Sequence, residues 1–145
     1  MAWFDQFKHE YTGRKDYDLP PESRVYCMTE GSGLPVKLGS TQQLANRMAQ
    51  FQAHTWRKVY LCWDAPAGII HETALKRILR NEVLHGEWIH DANDRLKLAL
   101  PQFATLDELL ALIDQMAVEY KTPTATLETR PRKGQAVIHP FARAV

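Results

Sequence analysis

Two short β-prone runs, Val25 to Met28 and Val36 to Leu38, flank the segment Gly31-Ser32-Gly33-Leu34-Pro35, and helical period and strand alternation then take turns along the chain. This succession constrains the fold more than any other feature. A connection of that length, rich in turn formers, suits a loose antiparallel hairpin. Behind it Leu44, Met48 and Phe51 recur at i, i+4 and i+7, with Ser40 or Thr41 available to cap the helix they define. Val59, Leu61 and Trp63 alternate with Tyr60, Cys62 and Asp64, the pattern of a half-buried strand, which Pro66 and Gly68 interrupt. A second helix is predicted from about Ile70 to Val83, with Ala74, Leu75, Ile78 and Leu79 as its apolar stripe. Gly86 ends that region, and Trp88 and Ile89 resume an extended character. Strand, strand, helix, strand, helix predicts an α/β (α+β) layer: a small antiparallel three-stranded sheet flanked by helices.

On either side of this layer the chain changes character. Residues 1–23 read as an N-terminal arm or short helix docked by Trp3, Phe4 and Phe7 and stopped before Pro20 and Pro21. Thr105 and Glu108 have capping-box spacing, and Leu106, Leu109, Leu110, Ile113, Met116, Ala117 and Tyr120 keep helical period behind them. A terminal hairpin is predicted from Ala125 to Ile138, with a basic tip. The expected organisation is therefore an arm at 1–23, a core at 24–90, and a C-terminal accessory helix and basic hairpin at 91–145.

A chain of 145 residues supports one core. With 45% hydrophobic and 24% charged residues, the composition excludes a disordered polymer. The net charge of +1 excludes a wrapping polycation but conceals strong local asymmetry. Residues 106–120 carry four acids and no base, whereas the segment after them carries five bases against Glu128. No apolar run approaches the roughly 18 residues of a membrane span, and the first residues lack the apolar stretch of a secretory signal. Cys27 and Cys62 are too few for a disulfide framework or a four-cysteine zinc site. The expectation is a reduced, cytoplasmic protein with no membrane partner, its cysteines acting as buried hydrophobes.

Five residues stand out against this frame: Tyr26 and Lys37 on the first two strands, Arg47 on the first predicted helix, Glu72 on the second, and Glu87 beyond it. Each has an ordinary structural reading. Tyr26 suits a packed aromatic, Lys37 an edge-strand guard, Arg47 a solubilising surface residue, and Glu72 an i,i+4 partner of Lys76. Trp88 suits the core, and His71 falls within an apolar stripe, which favours a satisfied core histidine. At about 100° per residue, Gln43, Arg47, Gln50 and His54 share one arc beside the apolar stripe, so Arg47 borders core and solvent.

In their joint order and spacing, Arg24-Val25-Tyr26, Val36-Lys37-Leu38-Gly39-Ser40-Thr41, Arg47, His71-Glu72-Thr73-Ala74-Leu75 and Gly86-Glu87-Trp88-Ile89 resemble the GIY-YIG nuclease superfamily. The likeness is to its compact phage-type branch, with a K-I-G second motif and a G-E-W-F closing motif. It covers roughly residues 24–90. Arg24 and Val25 stand where glycine and isoleucine are typical, and Lys37 where the wider family has a second tyrosine.

The resemblance implies a metal-dependent DNA endonuclease using Mg²⁺ or Mn²⁺. Glu72 would be the metal ligand, and Arg47 would stabilise transition-state charge. Tyr26 and Lys37 would activate water and position phosphate, either of them able to take the base role. His54 is a candidate for a further proton transfer or phosphate contact, and Glu87 has no assigned role. Arg130, Arg132 and Lys133 have two readings, a grip on the DNA backbone or a solvated loop tip. The 106–120 helix likewise either packs over the layer or docks a second copy in a homodimer. Two other functions stay open: a catalytically inactive module that binds nucleic acid or a protein partner, and an inhibitor-like protein acting through protein contacts alone.

Overall fold

The computed structural model describes residues 2–11 and 22–123. The elements are α1 (Trp3–Tyr11), β1 (Arg24–Thr29), β2 (Val36–Thr41), α2 (Leu44–Ala53), β3 (Tyr60–Pro66), α3 (Ile69–Ile78), β4 (Val83–His85), β5 (Trp88–Ile89) and α4 (Leu106–Glu119). The strands form one antiparallel sheet in the order β3-β1-β2-β5-β4. The mixed α and β class agrees with the sequence reading, but the sheet has five strands where three were expected. The additional pair was concealed by its length. Strands of three and two residues carry no readable period, and the apolar stripe of the preceding helix continues in sequence as far as Val83. That helix in fact stops at Ile78, a 3₁₀ turn spans Arg80–Glu82, and Gly86 at φ 57° lets the chain reverse onto β2. There Lys37 lies opposite Trp88 and Val36 opposite Ile89. The predicted C-terminal hairpin lies outside the described residues.

The β1–β2 connection is held by Thr29, whose hydroxyl donates to the carbonyls of Gly31 (3.0 Å) and Pro35 (2.9 Å) and accepts from the Gly31 amide (3.2 Å). Every residue of β1 after Arg24 is buried, because β2 and β3 flank it and helices cover both faces. Strand alternation then sorts the side chains. Val25, Cys27, Val36, Leu38, Trp63 and Ala65 enter one continuous apolar core with Phe4 and Phe7 of α1, Ala74, Leu75 and Ile78 of α3, and Leu109, Ile113 and Met116 of α4. Tyr26, Met28, Lys37 and Gly39 belong to the opposite face, under α2. Not one residue of α2 is buried.

Capping chemistry placed α4 correctly. Thr105 and Glu108 exchange hydrogen bonds of 2.9 and 3.1 Å. The N-cap of α2 is Gln43, with its amide bonded to Thr41 Oγ1 at 3.0 Å, whereas Ser40 is engaged elsewhere. Helix α1 docks as its aromatic residues suggested. Phe7 is fully buried, Trp3 Nε1 donates to the Thr122 carbonyl (2.9 Å), and the Phe4 amide donates to Asp114 (2.8 Å). Beneath the hairpin turn, the buried ammonium of Lys97 pairs with Asp91 (3.1 Å) and Asp94 (2.8 Å) and donates to the Leu34 carbonyl. Cys27 is buried and Cys62 partly so, both as free thiols. Among the described residues no helix is long and apolar enough to cross a membrane.

His71 is the core histidine that its position in the stripe favoured. Its Nδ1 accepts from the Gly68 amide (3.0 Å), and its ring stacks on Phe4 at 5.0 Å. Burial pulls its pKa from 6.5 down to about 4. The unfolded chain therefore protonates His71 at a higher pH than the folded chain does. Stability from the neutral ring is complete above the unfolded value and is lost as pH falls from about 6.5 towards 4. The urea midpoint should be lower near pH 4.5 than near pH 7, and that difference should shrink in His71→Phe. An unchanged difference would show that the ring titrates normally.

Candidate active site

The site is built around a close approach. Tyr26, in the middle of β1, lies opposite Gly39 of β2, and its phenol extends across the space a side chain would take there. A Cβ on Gly39 would sit 2.3 Å from Tyr26 Oη and 2.5 Å from Glu87 Oε1. Glycine is therefore required by proximity rather than by backbone conformation. Glu87 comes from the β4–β5 turn, tied to β2 by a 3.3 Å bond from the Leu38 amide to the Glu87 carbonyl. Arg47 projects from α2. Three hydrogen bonds close a triangle: Tyr26 Oη donates to Glu87 Oε1 (3.0 Å), Arg47 Nε donates to Tyr26 Oη (3.3 Å), and Arg47 Nη2 donates to Glu87 Oε2 (2.9 Å). Gln50, one helical turn on, accepts from Arg47 Nη1 at 3.2 Å.

Lys37 lies two residues before Gly39, on the same face. Its Nζ is 3.5 Å from the centroid of the Phe51 ring and 5.3 Å from that of Trp88. The Arg47 guanidinium shares the Phe51 ring at 4.5 Å, and Tyr26 meets it edge-on. Phe51 is thus a common floor for two cations. Trp88, expected in the core, is only half-buried because it faces Lys37 across the strand pair.

The surroundings push the two proton-transfer candidates in opposite directions. Burial raises the Tyr26 pKa well above its usual 10; Arg47 lowers it, and the Glu87 carboxylate raises it further. Its proton is also committed to Glu87. Burial lowers the Lys37 pKa, Glu87 raises it, and the like charge of Arg47 lowers it again. Of the two, Lys37 is the one whose surroundings favour giving up a proton. Two cations against one carboxylate leave the cluster suited to an anion.

Next to the cluster is a cavity of about 650 Å³, lined by Lys37, Arg47, Phe51, His54, Thr55 and Trp88 among others. His54, the C-cap of α2, reaches this wall. Tyr26, Lys37 and Arg47 are therefore brought together. Glu72 is not with them. Its Oε1 accepts from Ser40 Oγ (2.6 Å) and its Oε2 from Lys76 Nζ (2.5 Å). Ser40 alternates with Gly39, so it and Glu72 occupy the core face of the sheet. The ion pair with Lys76, the plain reading of this residue, is what the fold contains. Glu87 takes the place beside Tyr26 and Arg47; its immediate neighbour in the G-E-W-I motif was the available signal. Arg24 forms a 2.7 Å ion pair with Asp64 of β3. Arg130, Arg132 and Lys133 lie outside the described residues.

A Mg²⁺ ion needs only one or two carboxylates when water and phosphate complete its shell. Glu87 fits that demand: each of its oxygens accepts one hydrogen bond and keeps a further lone pair. Glu72 has its oxygens engaged in the same way, by Ser40 and Lys76, but on the other face of the sheet, away from Tyr26, Lys37 and Arg47. Among the described residues no three or more His, Cys, Asp or Glu side chains come together, so a protein-built metal cage is not part of this site. No protein-family model, curated protein or solved structure matches the chain.

Replacing Gly39 by alanine should force Tyr26 and Glu87 apart. The expected result is a loss of roughly 1–3 kcal/mol in urea unfolding, the usual cost of overpacking. Wild-type stability in Gly39→Ala would show that the triangle yields without strain.

Proposed function

We propose that the protein is a Mg²⁺- or Mn²⁺-dependent endonuclease that hydrolyses DNA phosphodiester bonds at the Tyr26–Arg47–Glu87 cluster with Lys37. The observation that carries this reading is the convergence of two cations, a phenol and one accessible carboxylate at the edge of a cavity. Arg47 is already oriented by Tyr26 and Glu87. Its guanidinium stabilises charge gathering on the phosphoryl oxygens without having to be ordered first. Lys37 as the ammonium holds the phosphate; its neutral form, which burial and the charge of Arg47 favour, is the one that accepts the proton released as water attacks phosphorus and the bond to the leaving oxygen breaks. Tyr26 keeps its own proton and holds Arg47 and Glu87 in register. When bound at Glu87, the metal ion would supply Lewis-acid stabilisation of the phosphoryl group.

A second reading is favoured by one observation: both Glu87 oxygens are already occupied by Tyr26 and Arg47. In that case the cluster holds a phosphate without cutting it, as an inactive nucleic-acid-binding module.

Nicking of supercoiled plasmid, with divalent ion and with chelator, separates the two. Arg47→Ala should lower the rate by about 10²–10³, the range for loss of a preorganised transition-state donor. Glu87→Gln should abolish the divalent-ion-dependent cleavage, whereas Glu72→Gln should leave activity close to wild type. Loss of activity in Glu72→Gln with retention in Glu87→Gln would reverse the carboxylate assignment. DNA binding without cleavage under either ion would establish the inactive module.

A further inference from the structure

Beyond the cavity, the segment joining α2 to β3 carries a feature that the hydrolytic cluster does not use. His54, Thr55 and Val59 line the cavity wall, while Trp56, Arg57 and Lys58 between them and Tyr60 just after them are exposed. Trp56 is 89% exposed and Tyr60 48%. Each ring has a cation beside it: the Arg57 guanidinium lies 5.2 Å from the Trp56 centroid, and Lys58 Nζ lies 5.4 Å from that of Tyr60. No acid occurs from residue 54 to residue 63.

The backbone here is braced. The Gln52 side chain donates to the Arg57 carbonyl (2.8 Å) and accepts from the Val59 amide (2.8 Å). Thr55 Oγ1 accepts from the Arg57 amide (3.1 Å) and donates to Glu30 (2.6 Å). That last bond also engages Glu30, the acid lining the cavity at this end. The segment is thus held in a defined shape with two large rings left in water, although burying either would have stabilised the fold.

We infer that the 56–60 segment is a stacking platform for single-stranded DNA, delivering an unpaired strand along the cavity towards Lys37 and Arg47. Exposed rings offer flat faces to bases, and adjacent cations offer charge to the phosphates between them. A duplex cannot use the rings, because its base faces are covered by their own neighbours. Thr55 and Val59, which flank Arg57 and Lys58 in the chain, line the same cavity as Lys37 and Arg47, so the cavity joins the two pairs of cations. The inference rests on the proposed phosphodiester site for its direction along the cavity, but the binding itself needs neither metal nor cleavage.

Fluorescence anisotropy in chelator tests it, using labelled oligothymidine alone and annealed to its complement. The single strand should bind more tightly than the duplex. Trp56→Ala and Tyr60→Ala should each weaken single-strand binding by roughly five- to a hundredfold, the range for one lost base stack, while Trp56→Phe retains most of the affinity. Arg57→Gln and Lys58→Gln should each reduce the salt slope by about 0.7. Equal affinity for single strand and duplex would overturn the inference, as would unchanged binding by Trp56→Ala. Platform-dependent binding without cleavage under Mg²⁺ or Mn²⁺ would uphold it and remove the hydrolytic reading. Cleavage that is indifferent to the platform variants would do the opposite.

Discussion

The approach of the Tyr26 phenol across Gly39 is the contact on which the rest of this face depends. One ring, anchored in a central strand, ties together β1, β2, α2 and the β4–β5 turn through Arg47 and Glu87. Helix α2 buries no residue of its own, so ordinary hydrophobic packing holds it only weakly. Its position is instead set by polar contacts with Tyr26 and Glu87 and by Phe51 beneath the two cations. A helix held in this manner keeps its guanidinium aimed and half exposed, an arrangement that a fully packed helix would forbid.

The sheet separates an apolar core from a polar cluster by face. On one side α1, α3 and α4 bury a continuous apolar core, in which His71 is a neutral acceptor and Glu72 joins Ser40 to Lys76. On the other side α2 covers only part of the strands and leaves a cavity. Because successive strand residues point to opposite faces, the neighbours Gly39 and Ser40 meet different layers, Gly39 the Tyr26 phenol and Ser40 the Glu72 carboxylate. Glu72 on α3 and Glu87 in the β4–β5 turn fall on these two sides, although the two carboxylates look equally eligible when read in line.

A buried apolar layer can be read from periodicity because burial is repetitive. Leu109, Ile113 and Met116 recur at helical spacing, and Thr105 with Glu108 announces the start of their helix, so α4 was legible to within a residue. The β1–β2 hairpin, β3 and the docking of α1 by its aromatic residues were legible for the same reason. Strands β4 and β5 were not. Their identity comes from pairing with β2, a non-local event with no period of its own. The helix expected to reach Val83 ends at Ile78 because the chain must leave it in time to supply that pairing.

Among the candidate residues, the resemblance of the motifs implied that Tyr26, Lys37, Arg47 and Glu72 would meet, and the fold brings the first three together from β1, β2 and α2. Which carboxylate joins them was decided only by tertiary structure. Glu72 has the helical context that sequence favours, yet its helix packs beneath the sheet. Glu87 arrives from a turn whose direction is set by Gly86 and by pairing to β2. Side-chain orientation across a sheet is fixed by register and by which layer a helix joins, and neither is written in the order of residues alone.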